Sequence, residues 1–158
     1  MTMSATETLA TDPWGVVPQR LRPPRARADL MQRSALLARL LAEEASLVTV
    51  RAGAGFGKTT LMSQWVEVDP RPAGWLSLDV VDNDPVVLLR HLVKGLAACG
   101  LDVARTEDLL RRRDPRIADE VLPALAGALE ATQTSFLMVL DDVHLIDHRD
   151  AVATVDDL

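Results

Sequence analysis

Apolar residues follow two rhythms along this chain. Leu36, Leu37, Leu40 and Leu41 recur at helical spacing, with Arg39, Glu43 and Glu44 between or after them. Residues 46–51 (SLVTVR) are instead a short β-branched run, which predicts a buried strand. That run leads straight into a glycine-rich stretch. Beyond it, Leu61, Met62, Trp65 and Val66 give a helix with one apolar face, ending near Asp69-Pro70. Residues 73–78 (AGWLSL) predict a second strand.

Asp84 as N-cap and Pro85 at the first helical position open a further helix, with Gly100 as its stop. Leu88, Leu89, Leu92, Val93 and Leu96 form its buried stripe. Residues 101–115 fit no single pattern, and Arg111–Arg113 reads as an exposed helical edge. Residues 117–132 look helical, with Pro123 either kinking the helix or marking its true start. Residues 136–140 (FLMVL) are a third strand, closed by Asp141-Asp142, and a last helix is expected near Arg149. Strands alternating with helices predict parallel pairing and an α/β layered domain.

Composition narrows the classes. At 158 residues and 48% hydrophobic, the chain has material for one domain with a real core. Its net charge of −6 argues against a protein that wraps nucleic acid or coats an anionic membrane. The single Cys99 excludes an internal disulfide and a cysteine metal site, and suits a reducing compartment. No apolar run is long enough to suggest a membrane span. Residues 1–12 are polar and lack a signal-peptide centre, so a cytoplasmic location is expected. Residues 1–28 form a Pro/Arg-rich leader, with Arg20, Arg22, Arg25 and Arg27 among Pro13, Pro18, Pro23 and Pro24. It reads either as a solvated, partly extended segment or as a phosphate or partner contact. Residues 29–158 are the domain itself.

The chemistry concentrates at two places. Ala52, Gly53, Ala54, Gly55, Phe56, Gly57, Lys58, Thr59 and Thr60 fit the phosphate-loop pattern, with Ala52 in place of the first glycine. Backbone N–H groups must turn inward around phosphate oxygens, which demands glycine where side chains clash or φ is positive. The helix that follows points its positive end at the anion. Lys58 would reach the β- and γ-phosphates, and the Thr59 hydroxyl would ligate Mg²⁺. The second place is Asp141-Asp142, carboxylates at the C-terminal end of a buried strand. Asp141 would hold Mg²⁺ through water, and Asp142 would polarise the attacking water. The ligand expected is ATP or ADP with Mg²⁺, although nothing in the sequence separates ATP from GTP.

Other candidates carry less. His144 and His148, four apart, have no evident third metal ligand; a γ-phosphate sensor or plain surface histidines are the other readings. His91, between core leucines, reads as structural. Asp79, Asp82 and Asp84 lack the glycine and glutamate of a cation loop and read as a cap and a turn. Trp65 and Trp75 are expected between helix and sheet, with base stacking as the alternative.

Taken together, these residues resemble the MalT-like branch of the STAND signalling ATPases, the large LuxR-type transcriptional activators. The likeness covers about residues 20–158. It rests on Leu21-Arg22-Pro23-Pro24, Arg33, Ala52–Thr60, Gly74-Trp75-Leu76-Ser77-Leu78-Asp79, Asp82-Asn83-Asp84-Pro85 and Leu140-Asp141-Asp142-Val143-His144-Leu145-Ile146. The resemblance implies a P-loop NTPase three-layer sandwich with a parallel sheet. It implies a switch that ADP holds closed and ATP plus an inducer opens into a self-associating form, with slow hydrolysis as reset. It also places Arg33 near the nucleotide base. Gly53 stands where relatives often carry Pro, and Asp142 where many related ATPases carry Glu. The family's sheet has a further strand between those of the phosphate loop and the acidic pair, expected after Leu158. The chain therefore reads as an N-terminal piece with an incomplete sheet, marginal in isolation. With no helix-turn-helix in sight, direct DNA binding by this segment is not expected. A self-contained, AAA-like P-loop ATPase and a non-catalytic truncated remnant are the alternative functions.

Overall fold

In the computed structural model, which describes residues 14–24 and 33–147, two parallel strands form the centre. Strand β1 (Ala73–Ser77) pairs with β2 (Leu137–Asp141), from Ala73 opposite Leu137 to Ser77 opposite Asp141. Side chains alternate across a strand. Trp75, Leu137 and Val139 therefore share one face with Leu37 of α1 (Ser34–Leu41) and Leu61 and Trp65 of α2 (Lys58–Val68). On the other face Leu76 meets Leu88, Leu89, Leu92, Val93 and Leu96 of α3 (Pro85–Ala98). The same cluster takes in Leu109 and Leu110 of α4 (Ala104–Leu110) and Leu125 of α5 (Leu122–Ala131). Helices cover both faces of a parallel pair, which is an α/β arrangement. Trp65 and Trp75 lie between helix and sheet, as expected.

Local chemistry sets the boundaries. One Asp84 carboxylate oxygen accepts the N–H groups of Val86 at 2.8 Å and Val87 at 3.3 Å, so α3 is capped as its sequence predicts. Gly100, at φ 89°, ends it with a left-handed residue. Residues 117–121 make one π-helical turn that runs directly into α5, with Val121 already helical (φ −73°, ψ −52°) and Pro123 in the first turn of α5. The helical run therefore begins before Pro123, which falls where π geometry gives way to α.

The predicted buried strand at 46–51 is not found. The segment joins no ladder among the described residues, and Leu47 is 83% exposed. Its period survives: Val48 and Val50 pack against the α1–α2 cluster while Leu47 and Thr49 face out. A strand needs a neighbour for its N–H and C=O groups, and neither β1 nor β2 runs beside this segment.

The described part of the leader lies on the domain. The Trp14 ring sits against the Lys94 ammonium (4.6 Å) and the Arg111 guanidinium (5.3 Å), and Val16 is buried. Within the 3₁₀ turn Pro18–Leu21, Arg20 donates from Nε to the Ser77 carbonyl at 2.9 Å and from Nη2 to Asp82. Arg25 and Arg27, as well as His148 and the helix expected near Arg149, fall outside the described residues. Among the described residues no helix is long and apolar enough to cross a membrane.

Asp82 is fully buried, yet it is well partnered. Arg20, the Asp79 N–H (2.8 Å) and His91 Nδ1 (2.9 Å) all face its carboxylate. His91 is thus structural, as read. Burial pushes the Asp82 carboxyl up, but the bonds from His91, Asp79 and Arg20 outweigh that and leave its pKa below the ordinary value. Likewise the Arg71 hydrogen bonds hold Asp69 at about 2, against an ordinary 3.8. A carboxylate with a lowered folded-state pKa stabilises the fold above its unfolded pKa, and that stability is lost as pH falls. Thermal melts should therefore show Tm falling steeply as pH drops from about 4 toward 2. Asp82→Asn should melt lower at pH 7 and show a shallower acid decline. A parallel acid decline in both proteins would count against this account.

Candidate functional site

The glycine-rich segment forms a tight turn that ends at the start of α2. Gly55 (φ 77°) and Gly57 (φ 72°) take left-handed conformations, and Gly57 is the residue from which α2 begins. No side chain caps that helix start, so its first N–H groups are left for another acceptor. Lys58 folds back over the loop: its ammonium donates to the carbonyls of Ala52 at 2.9 Å and Gly53 at 3.1 Å. Arg33 reaches the same loop and donates to the Phe56 carbonyl at 2.7 Å. A Cβ at Gly57 would come within 3.1 Å of the Arg33 guanidinium. Residues 51–56 are exposed and 57–60 half-buried, while Phe56 stands 65% exposed. The turn is open, carries the Lys58 and Arg33 cations and leads into an uncapped helix start, which suits an anion rather than an apolar ligand.

The acidic pair splits by environment. Asp141, the last residue of β2, is buried, and its side chain accepts the Asp142 N–H at 3.1 Å. Its backbone carbonyl accepts the Leu78 N–H at 2.9 Å, tying the end of β2 to β1. Asp142 is exposed and takes φ 59°, the one non-glycine with positive φ among the described residues. That conformation costs roughly 1 kcal/mol for an aspartate and turns the chain sharply off the strand. His144 Nδ1 lies 3.8 Å from an Asp142 oxygen, a loose solvent-exposed pair. Lys58 bonds to its own loop rather than to Asp141 or Asp142. The link between the two places is α2, which starts at Lys58 and packs Leu61 and Trp65 against the β2 face. No group of three or more candidate metal ligands occurs among the described residues.

A groove of about 750 Å³ lies elsewhere, lined by Pro72, Gly100, Arg105, Thr106, Gly127 and Gln133 among others. Pro72 precedes β1 and Gln133 precedes β2, so it opens at the strand end opposite the acidic pair.

Relatives decide the family. The HTH-type transcriptional regulator MalT of Klebsiella pneumoniae (strain 342) is 32% identical over 135 residues, 84% of this chain. The regulator of the same name from Cronobacter sakazakii is 32% identical over 133 residues, 83% of this chain. That of Vibrio campbellii is 32% identical over 101 residues, 63% of this chain. This is a MalT-like chain. It spans about 15% of the length of the first two relatives and 11% of the third. No protein-family model matches it.

Three residues of this MalT-like chain matter more than their sequence signals suggest. Arg20 sits unmarked among the leader arginines, yet it reaches Asp82 and the end of β1. Asp82 is half of a capping box with Asp79 around the 3₁₀ turn Val80–Asn83, so the cap-and-turn reading of these aspartates holds. Asn83, between two aspartates, joins that turn to the segment after Asp142. The only signal for it was its place in the MalT-like Asp-Asn-Asp-Pro stretch.

Proposed function

We propose that this chain is the ATP-binding switch module of a MalT-like transcriptional regulator, with slow or no hydrolysis by the segment itself. The phosphate turn carries the reading: two left-handed glycines, an uncapped helix start and a lysine folded over the turn. On this reading the N–H groups of the turn and the Lys58 ammonium hold the β- and γ-phosphates. Arg33, already bonded to the turn, lies beside the nucleotide. The Thr59 hydroxyl and the Asp141 carboxylate hold Mg²⁺, which when bound neutralises charge developing on the phosphate oxygens. Asp142, exposed and turned off the strand, orients the water that attacks the γ-phosphate.

The finer fold belongs to the same proposal. A P-loop three-layer sandwich places a further strand along the open edge of β2, with residues 46–51 on that strand's far side. The inward-facing Val48 and Val50 support this, since they already sit at strand period without a ladder. In the whole regulator, ATP would favour self-association, DNA would be bound by other parts, and the setting would be cytoplasmic.

The test is titration of the chain with a fluorescent ATP analogue, with Mg²⁺ and with EDTA. Chelation should weaken binding about tenfold. Thr59→Ala should lose a similar amount, with little further loss on chelation, because both changes remove one interaction. Additive losses would place the metal elsewhere. Steady turnover by this chain alone would favour a self-contained ATPase instead.

A further inference from the structure

We propose that Asn83 is a positioning residue for Asp142, pinning the segment after the acidic pair so that the Asp142 carboxylate is held toward the γ-phosphate. This inference rests on the nucleotide reading above and adds a residue to it. The half-buried Asn83 side chain works with both ends. Its Nδ2 donates to the Leu145 carbonyl at 2.9 Å and to the Val80 carbonyl at 3.1 Å, and its Oδ1 accepts the Asp147 N–H at 2.9 Å. One amide thus closes on residues 145 and 147 from a turn more than 60 positions earlier in the chain.

The clamp bears directly on Asp142. After this left-handed residue the chain makes the 3₁₀ turn Val143–Leu145, closed by Leu145 N–H to the Asp142 carbonyl at 3.0 Å and Ile146 N–H to the Val143 carbonyl at 3.1 Å. Residues 142–144 are exposed, so little packing fixes them. A strained residue persists only where its surroundings over-determine it. Here those surroundings are the turn, the partly buried Ile146 against the α3 side of the core, and Asn83. Asn83 is itself held firmly. Its turn is fixed by the Asp79–Asp82 capping box, and Asp82 by Arg20 and His91. The Asp142 end of the site is thereby referred to the core and to the leader.

Asn83→Ala and Asn83→Asp in the 158-residue chain separate the possibilities, read first by residue-resolved hydrogen exchange without nucleotide. In Asn83→Ala the amides of Leu145, Ile146 and Asp147 should exchange at least tenfold faster, with Leu78 at the strand ends unchanged. Asn83→Asp keeps the acceptor and loses the donor. It should leave Asp147 protected while Leu145 and Ile146 speed up, and it serves if the alanine variant unfolds. The second reading is the ratio of ADP-analogue to ATP-analogue Kd in wild type and Asn83→Ala. A carboxylate held toward the γ-phosphate repels it, so releasing Asp142 should tighten the ATP analogue by about threefold and leave the ADP-analogue Kd unchanged. Unchanged exchange at 145–147, or faster exchange with the wild-type ratio intact, overturns the proposal. A wild-type chain that binds neither analogue overturns the nucleotide reading itself, and the role of Asn83 with it.

Discussion

Lys58→Ala is expected to weaken binding of a fluorescent ATP analogue by about 30- to 100-fold. A charge-assisted hydrogen bond is worth about 1.5–3 kcal/mol, and each 1.4 kcal/mol is tenfold in affinity. Lys58 would make more than one such bond to the phosphates. In the free chain its ammonium occupies the Ala52 and Gly53 carbonyls, so nucleotide binding exchanges neutral acceptors for charged ones. Lys58→Arg keeps the charge but replaces a compact ammonium with a planar fork, and should fall between the two. The side chain is not in the core, so all three proteins should melt within about 2 °C of each other. Matched melts with divergent affinities would tie the loss to the phosphate turn. Equal affinity in wild type and Lys58→Ala would remove the turn from the site. If neither binds, the nucleotide reading itself falls.

How legible all this was depended on how local the physics is. Helix α3 could be read from its ends, because Asp84, Pro85 and Gly100 each act within a turn of their own positions. The tight glycine turn was readable for the same reason: positive φ at Gly55 and Gly57 is a property of the residue type. Residues 46–51 show the limit. Their composition and their period are those of a strand, but a ladder is a property of two segments, and the sequence of one does not supply the other. The clamp on Asp142 was hidden likewise. Asn83 looks like any turn asparagine until residues 145 and 147 arrive beside it, and Arg20 looks like any leader arginine until Asp82 is buried beneath it. The family resemblance marked the Asp-Asn-Asp-Pro stretch as informative, and geometry supplies a reason for it.

Gly74→Ala should destabilise the domain more than any surface change, by roughly 2–4 kcal/mol. Gly74 is the second residue of β1, on the face that carries α3. A Cβ built there would lie 2.3 Å from the Gly95 carbonyl oxygen, 2.8 Å from Met138 Sδ and 2.9 Å from Cys99 Sγ. Met138 has rotamers to spare, but the Gly95 oxygen is backbone inside a helix and can retreat only if α3 lifts off the sheet. That lift would loosen Leu88, Leu89, Leu92, Val93 and Leu96 together. Against a typical net stability of 5–15 kcal/mol, Tm should fall by about 10 °C or more, and Gly74→Val should leave little folded protein at all. Gly95→Ala should cost less, because its new Cβ would meet the movable end of Met138 at 2.5 Å. Gly127 gives the opposite sign. It lies inside α5 with nothing within 4 Å of its Cβ position, so Gly127→Ala should stabilise by about 0.5–1 kcal/mol through helix propensity alone. Thermal melts of the three alanine variants should therefore order Gly127→Ala above wild type, Gly95→Ala below it and Gly74→Ala lowest. A Gly74→Ala protein that melts with wild type would mean that α3 does not lie as close to β1 as this packing requires, and the α3 face of the core would have to be redrawn.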